Sequence, residues 1–332
     1  MKVCLEDAIR VDIPKKEWKI KHKKYTKCKR CVKKCPKQCL TLQHYNKDKR
    51  NTENQEQKKA IKRKIEKIKN KRKSYMREIL DITYKTIDDH ELKLDIFLPT
   101  TKVNPPTIVW IHGGAWMVGD RKWCGLKDQV DRGYAVVSID YRLTNVAPFP
   151  ACILDCKDAL AFLRKNQHEY GLNMEQVIIA GDSAGGHLAA LMGVSNGHTD
   201  WEEAGIDYRV DAIIDFYGPS TIYPITKRYP GETNEVLDAL LGVPVKSKKG
   251  MMIASTASPI TYIDGTEPPF FILHGDQDEV VHIEQSIILH EALLSEGVES
   301  RFHVMKDTGH CYDHLEDVKE MLSEFIDSIF EP

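Results

Sequence analysis

The 332-residue chain has no apolar stretch approaching the roughly 20 residues that cross a bilayer, so a membrane span is not expected. Its amino terminus carries lysines with no apolar run behind Met1, so a secretory leader is not expected either. The cytoplasm is the expected location, with reduced cysteines and no disulfide framework. Net charge is also nearly absent, at −1 for 48 Lys+Arg against 49 Asp+Glu.

That balance hides a division of the chain. The first 80 residues hold 28 Lys+Arg against 9 Asp+Glu, which leaves 20 against 40 for the rest. Apolar residues between Gln55 and Leu80 recur at spacings near three and four, among them Ile61, Ile65, Ile68, Met76, Ile79 and Leu80, and predict a long basic helix. Such a helix has the charge to meet nucleic acid, an anionic membrane or an acidic protein surface, including the remainder of this chain. A solvated charged face is the commoner explanation. Residues 51–80 are therefore read as a basic helix or linker, and 81–332 as one large domain.

Cysteine divides the same way: four of the nine fall in Cys28-Lys29-Arg30-Cys31-Val32-Lys33-Lys34-Cys35-Pro36-Lys37-Gln38-Cys39. Cys28, Cys31 and Cys35-Pro36 resemble the last three positions of a bacterial ferredoxin run, whose first cysteine would fall at Tyr25. Cys4 resembles the end of a preceding ferredoxin half. The resemblance implies an iron–sulfur cluster among Cys4, Cys28, Cys31 and either Cys35 or Cys39, and four thiolates suit zinc equally. With Tyr25 in the first position, residues 1–50 are read as a ferredoxin-like remnant that binds nothing.

Beyond residue 81 the pattern alternates strands and crossover helices, as a mostly parallel sheet requires. Predicted strands are Ile82–Thr86, Glu91–Leu98, Thr107–Ile111, Ala135–Ile139, Val177–Ala180, Val210–Phe216, Pro269–Leu273 and Arg301–Met305. Predicted helices include Cys152–Tyr170, Ala184–Ser195, Ile283–Ser295 and Asp313–Phe330. The stretch 220–267 interrupts the alternation and is read as a small lid or a surface excursion.

Between one such strand and its helix lies Gly181-Asp182-Ser183-Ala184-Gly185-Gly186. Gly-x-Ser-x-Gly in that setting is a nucleophile elbow, with Ser183 on a turn too sharp for side chains at the flanking glycines. An oxyanion hole uses the amide after the nucleophile, Ala184, and a second donor from an earlier strand-to-loop junction. His112-Gly113-Gly114-Ala115-Trp116, after the strand Thr107–Ile111, is the candidate. Asp276 and Asp278 compete for the acid, and His310, after Gly309 in the loop beyond the last strand, is the candidate base. The order Ser, Asp, His is the one α/β-hydrolases use.

From about Ile82 onward the sequence resembles the short esterase/lipase-like α/β-hydrolases that include acetyl-xylan and feruloyl esterases. It is similar also to kynurenine formamidases and hormone-sensitive-lipase-like carboxylesterases. The segments that carry the resemblance include His112–Trp116, Ser138-Ile139-Asp140-Tyr141-Arg142-Leu143, Gly181–His187, Asp215–Pro219, His274–Asp278 and Gly309-His310. The resemblance implies a doubly covered, mostly parallel sheet. It selects Asp278 over Asp276, and it maps the oxyanion donors to Gly113, Gly114 and Ala184. Trp116 is expected in the substrate pocket, beside a short acyl group. The implied activity is that of a serine carboxylesterase acting on a small ester without metal or organic cofactor. An arylformamidase, and a redox or metal-binding module on a hydrolase scaffold, are the alternatives.

Overall fold

The computed structural model describes residues 9–12, 17–20, 76–197, 201–222, 234–310 and 318–331. The chain divides after Ile68 into two units. In the first, β1 (Ile9–Asp12) and β2 (Glu17–Ile20) pair antiparallel, with Ile9 opposite Ile20 and Val11 opposite Trp18. Neither strand is expected from the sequence. Cys4, Cys28, Cys31, Cys35 and Cys39, and the basic helix as far as residue 75, lie outside the described residues.

In the second unit the strands are β3 (Met76–Ile87), β4 (His90–Pro99), β5 (Pro106–Ile111), β6 (Ala135–Ile139), β7 (Asn173–Asp182), β8 (Ala212–Phe216), β9 (Phe270–Gly275) and β10 (Ser300–Met305). They form one sheet in the order β10-β9-β8-β7-β5-β6-β4-β3. Only β4 runs against its neighbours. The helices are α1 (Ala151–Tyr170), α2 (Ala184–Val194), α3 (Asn234–Leu241), α4 (Lys248–Thr256), α5 (Glu284–Ser295) and α6 (Lys319–Phe330). The predicted α/β class and all eight predicted strands are present.

Every residue of β5, β6, β8 and β9 is buried, as central strands covered on both faces must be. Alternation sorts their side chains into two cores. Val109, Val137 and Ile179 face α1, α2 and α5, while Ile108, Val136 and Ile178 face α6 and the 3-10 turn Lys127–Arg132. Each such side chain, wholly removed from water, contributes about 2 kcal/mol. All eleven residues of α2 are buried. Its small residues let it lie close to the sheet: a Cβ on Gly193 would sit 2.5 Å from Ile213.

The expected basic helix is corrected at its end. Residues Met76–Leu80 are strand, with Met76–Ile79 paired to Ile96–Pro99 of β4, and the expected domain start at residue 81 falls inside β3. The cause is local. The register shifts between Ile79 and Ile82, where Asp81 takes φ 61°, so an inserted residue turns the two-residue period of a strand into a spacing of three. Within 220–267, α3, α4 and the 3-10 turn Pro259–Thr261 supply short helices where the sequence shows only interrupted alternation.

Between β5 and β6 the chain moves one way across the sheet, and between β6 and β7 it returns to the other side of β5. The loops at the carboxyl ends of β5 and β7 therefore meet at a switch point, where open α/β sheets place their ligands.

Candidate active site

At the end of β7, Ser183 takes φ 52° and ψ −117°, a conformation L residues rarely adopt. Two hydrogen bonds hold it there. Its N–H donates to Phe216 O at 2.8 Å, and its carbonyl accepts the His187 amide at 3.0 Å as α2 begins. The flanking glycines have a steric cause. A Cβ on Gly181 would lie 2.3 Å from Gly185 O, and one on Gly185 would lie 2.0 Å from Ile111 O.

Two loops bring the partners of Ser183. His310 Nε2 lies 3.0 Å from Ser183 Oγ, and His310 Nδ1 lies 2.7 Å from Asp278 Oδ2. The loops after β9 and β10 are joined through their backbones, Asp276 N–H to Met305 O at 3.0 Å and Gln277 N–H to Thr308 O at 2.9 Å. Gly275 permits this approach, since a Cβ there would meet Thr308 O at 2.2 Å. Asp276, the rival acid, is exposed and faces the Thr308 amide at 3.4 Å. Asp278 is buried, which alone would raise its carboxyl. Hydrogen bonds from His274, His310 and the Val281 amide hold it well below the usual carboxylate range instead. An ionised Asp278 fixes the proton on His310 Nδ1 and leaves Nε2 free to accept one from Ser183.

The oxyanion loop corrects one expectation. The Gly113 N–H, expected to face the substrate, donates to Asp182 Oδ1 at 2.8 Å and is already satisfied. Gly114, Ala115 and Trp116 follow with φ of 109°, 52° and 59°. This run turns the loop back on itself, so that the Met117 and Val118 amides both reach Gly114 O at 3.0 Å. Gly114, Ala115 and Ala184 are left with amides that donate to no described residue, and Ala115 and Ala184 line the cavity beside Ser183. Ala115 is not legible in the sequence, because nothing there shows which amide of the loop Asp182 would occupy. The far end of the loop is tied down by Arg121, which reaches Asp95 at 3.0 Å, Asp140 at 2.9 Å, and Asp81.

Further supports come from residues that sequence reasoning passed over. Asp182 is held above the usual carboxylate range by burial, against the opposing pull of the Gly113 amide, His310 and Tyr217. The Tyr217 ring meets His310 edge-on at 4.7 Å. His187, wholly buried, is pushed down to about 4 by desolvation and is neutral at pH 7. It accepts Trp116 Nε1–H on Nδ1 at 3.2 Å and donates from Nε2 to Ala257 O at 2.7 Å, which fixes the Trp116 ring.

The cavity in front of Ser183 measures about 310 Å³. Trp116 is in its wall, with Ile222, Val236, Leu237, Val280 and Val281 supplying most of the apolar remainder. Val236 and Leu237 belong to α3, inside the segment that interrupts the alternation. Among the described residues no group of three or more His, Cys, Asp or Glu is placed to hold a metal, and no helix is long and apolar enough to cross a membrane. Cys152 and Cys156 are buried, and burial pushes the Cys152 thiol up to about 12.

A single antiparallel strand in an otherwise parallel sheet, with serine, carboxylate and imidazole at the carboxyl ends of β7, β9 and β10, defines an α/β-hydrolase. Within that class the chain belongs to the BD-FAE family, which residues 94–293 match. It is similar to the esterase LipC of Mycobacterium tuberculosis, at 31% identity over 69% of this chain and 59% of that protein. Among solved structures it is similar to a bifunctional GH43-CE protein of Bacteroides eggerthii, with TM-score 0.68 and 32% identity over 76% of this chain and 38% of that one. A truncated carbohydrate esterase from gut microbiota superimposes with TM-score 0.67 and 26% identity, over 76% of this chain and 97% of that one. The chain spans about half the length of the curated relatives it matches, 59%, 43% and 56% for the first three.

Proposed function

We propose that the chain is a serine carboxylesterase that hydrolyses small, short-acyl esters through an acyl-enzyme. The observation that carries the proposal is the pair of contacts of His310, 3.0 Å to Ser183 Oγ and 2.7 Å to Asp278 Oδ2, at the wall of an apolar cavity. In the first step His310 Nε2 takes the hydroxyl proton as Ser183 Oγ bonds to the ester carbonyl carbon. The carbonyl oxygen gains the negative charge and sits among the amides of Gly114, Ala115 and Ala184. Collapse breaks the bond to the alcohol, which leaves with the proton from His310. Water then attacks the acyl-serine with His310 again as base, and the acid departs.

Substrate size is supported by the cavity. About 310 Å³ lies at the lower end of ligand pockets, which suits an acetyl-like acyl group with a modest alcohol. The likeness to a carbohydrate esterase supports a sugar-borne hydroxyl as one such alcohol. The chemistry requires no cofactor, and an intracellular pool of small soluble esters is the proposed source of substrate. No observation specific to a formamide favours the arylformamidase alternative.

A series of aryl esters of increasing acyl length tests the proposal, run with the wild type and Ser183→Ala. Turnover should be greatest for acetyl to butyryl and be lost in Ser183→Ala with the circular dichroism unchanged. Undiminished hydrolysis by folded Ser183→Ala would refute the mechanism, and a maximum at long acyl chains would refute the substrate size.

A further inference from the structure

Asp278 accepts more hydrogen bonds than the relay to Ser183 requires. Its Oδ1 accepts the Val280 and Val281 amides at 2.8 and 2.9 Å. Its Oδ2 accepts His310 Nδ1 at 2.7 Å, and His274 Nε2 lies against the same oxygen at 3.2 Å. His274 stands at the end of β9 with no exposed surface. Its ring is held on both sides, Nδ1 2.7 Å from Ser286 Oγ on α5 and Nε2 2.7 Å from Val281 O. Nε2 thus faces a carbonyl and an ionised carboxylate, neither of which brings a proton. It must therefore carry the hydrogen and share it between them, while Nδ1 is paired with the Ser286 hydroxyl.

We infer that His274 is a positioning residue of the relay, which draws part of the Asp278 charge away from His310 and so keeps His310 usable as a base at lower pH. The inference rests on the function proposed above. Two donors on one oxygen compete, and whatever charge Oδ2 yields to His274 is withheld from the imidazolium that forms on His310. The two amides on Oδ1 keep the carboxylate in place without His274. Removing that ring therefore alters the charge felt by His310 more than the orientation of Asp278.

Other groups act on the same rings. Tyr217, beyond β8, lies edge-on to His310 at 4.7 Å and to His274 at 6.3 Å. Asp215 on β8 interacts electrostatically with His274, and Asp182 at the end of β7 with His310. Glu279 and His282 follow Asp278 in its loop and line the cavity. A change at position 274 leaves these groups in place, and Asp215, whose charge also meets His274, is replaced by asparagine in a parallel set so that its response is separated.

The test is the rate at which a fluorophosphonate labels Ser183, measured from about pH 4.5 to about pH 8.5 so that the acid limb is seen. In His274→Leu the acid limb should move up by about half a pH unit, with the plateau rate within about threefold of wild type. His274→Gln, which places an amide N–H where Nε2–H was, should keep the wild-type limb. Ser286→Ala leaves Nε2 facing the same carbonyl and carboxylate and should keep the wild-type limb. A limb that stays or moves down in His274→Leu overturns the inference. Should that variant fail to fold, His274→Phe, which keeps a ring but has no donor for Asp278, takes its place, and an unmoved limb there overturns it equally. A wild-type protein that takes no label overturns the relay itself, whereas a labelled wild type with an unmoved limb in His274→Leu or His274→Phe overturns only the role of His274.

Discussion

Replacing Asp182 by alanine tests whether a side chain of the elbow holds the oxyanion loop in register with Ser183. Asp182 Oδ1 accepts the Gly113 amide at 2.8 Å, and the loop lies so close that a Cβ on Gly113 would meet Asp182 Oδ2 at 2.7 Å. Alanine leaves the Gly113 N–H without an acceptor, which costs about 1–3 kcal/mol for a buried donor. Burial disfavours the Asp182 charge, so its removal returns part of that cost, and the net loss of stability should be about 1–2 kcal/mol. The effect on rate should be larger. Losing one oxyanion donor outright costs about 2.7–4 kcal/mol, and a loop that drifts without leaving should lose part of that, about tenfold to hundredfold in kcat. KM for a small aryl acetate should barely change, because the displaced amides act on charge that develops after binding. Asp182→Asn keeps a carbonyl oxygen for Gly113 and should stay within about fivefold of wild type. Steady-state kinetics beside a thermal melt separates the terms. If Asp182→Ala melts lower yet turns over at the wild-type rate, the loop is held by something else and this reasoning fails.

Asp278→Asn presents an N–H where Oδ2 now accepts two imidazole donors, so His310 is driven to the wrong tautomer; kcat should fall by about 10³- to 10⁴-fold in the same assay. Asp215 is wholly buried and its carboxyl is pushed up to about 6 from 3.8 by desolvation. Its contribution to stability is therefore fully present below pH 3.8 and lost as the pH rises through 6, a difference of about 3 kcal/mol. Asp215→Asn, which can still accept the Gly218 amide, should melt higher than wild type at pH 8 and match it near pH 4; an equal shift at both would contradict the linkage. Gly185→Ala places a Cβ 2.0 Å from Ile111 O, and urea unfolding should show a loss of about 3 kcal/mol or more.

Much of the hydrolase fold is legible in the sequence because its central strands are buried on both faces, and continuous apolar runs such as Thr107–Ile111 leave no other reading. The chemistry is legible where a residue type is forced, as at Gly181 and Gly185, whose backbones nearly touch other chain segments. What stays hidden depends on partners distant along the chain. Gly113 and Ala115 look alike until Asp182, about 70 residues on, is seen to occupy one amide. His274 looks like a strand end until Val281 O and Asp278 are seen to fix its tautomer. The edge strand is hidden over Met76–Leu80 because a bulge imitates helical spacing in a stretch rich in lysine and arginine.

That bulge also decides where the basic segment can be trimmed. Asp81 sits at the irregularity, donates its amide to Asp95 Oδ1 at 2.8 Å, and gives its carboxylate to the Arg121 that anchors the far end of the oxyanion loop. A shortened chain beginning at residue 82 would strip Asp95 and Asp140 of a co-ligand for one buried guanidinium and bare the backbone of β4 along Ile96–Pro99. An edge opened in that way is a template for aggregation. Removing the basic residues while keeping the edge of this sheet paired therefore requires a cut ahead of Met76, where β3 begins.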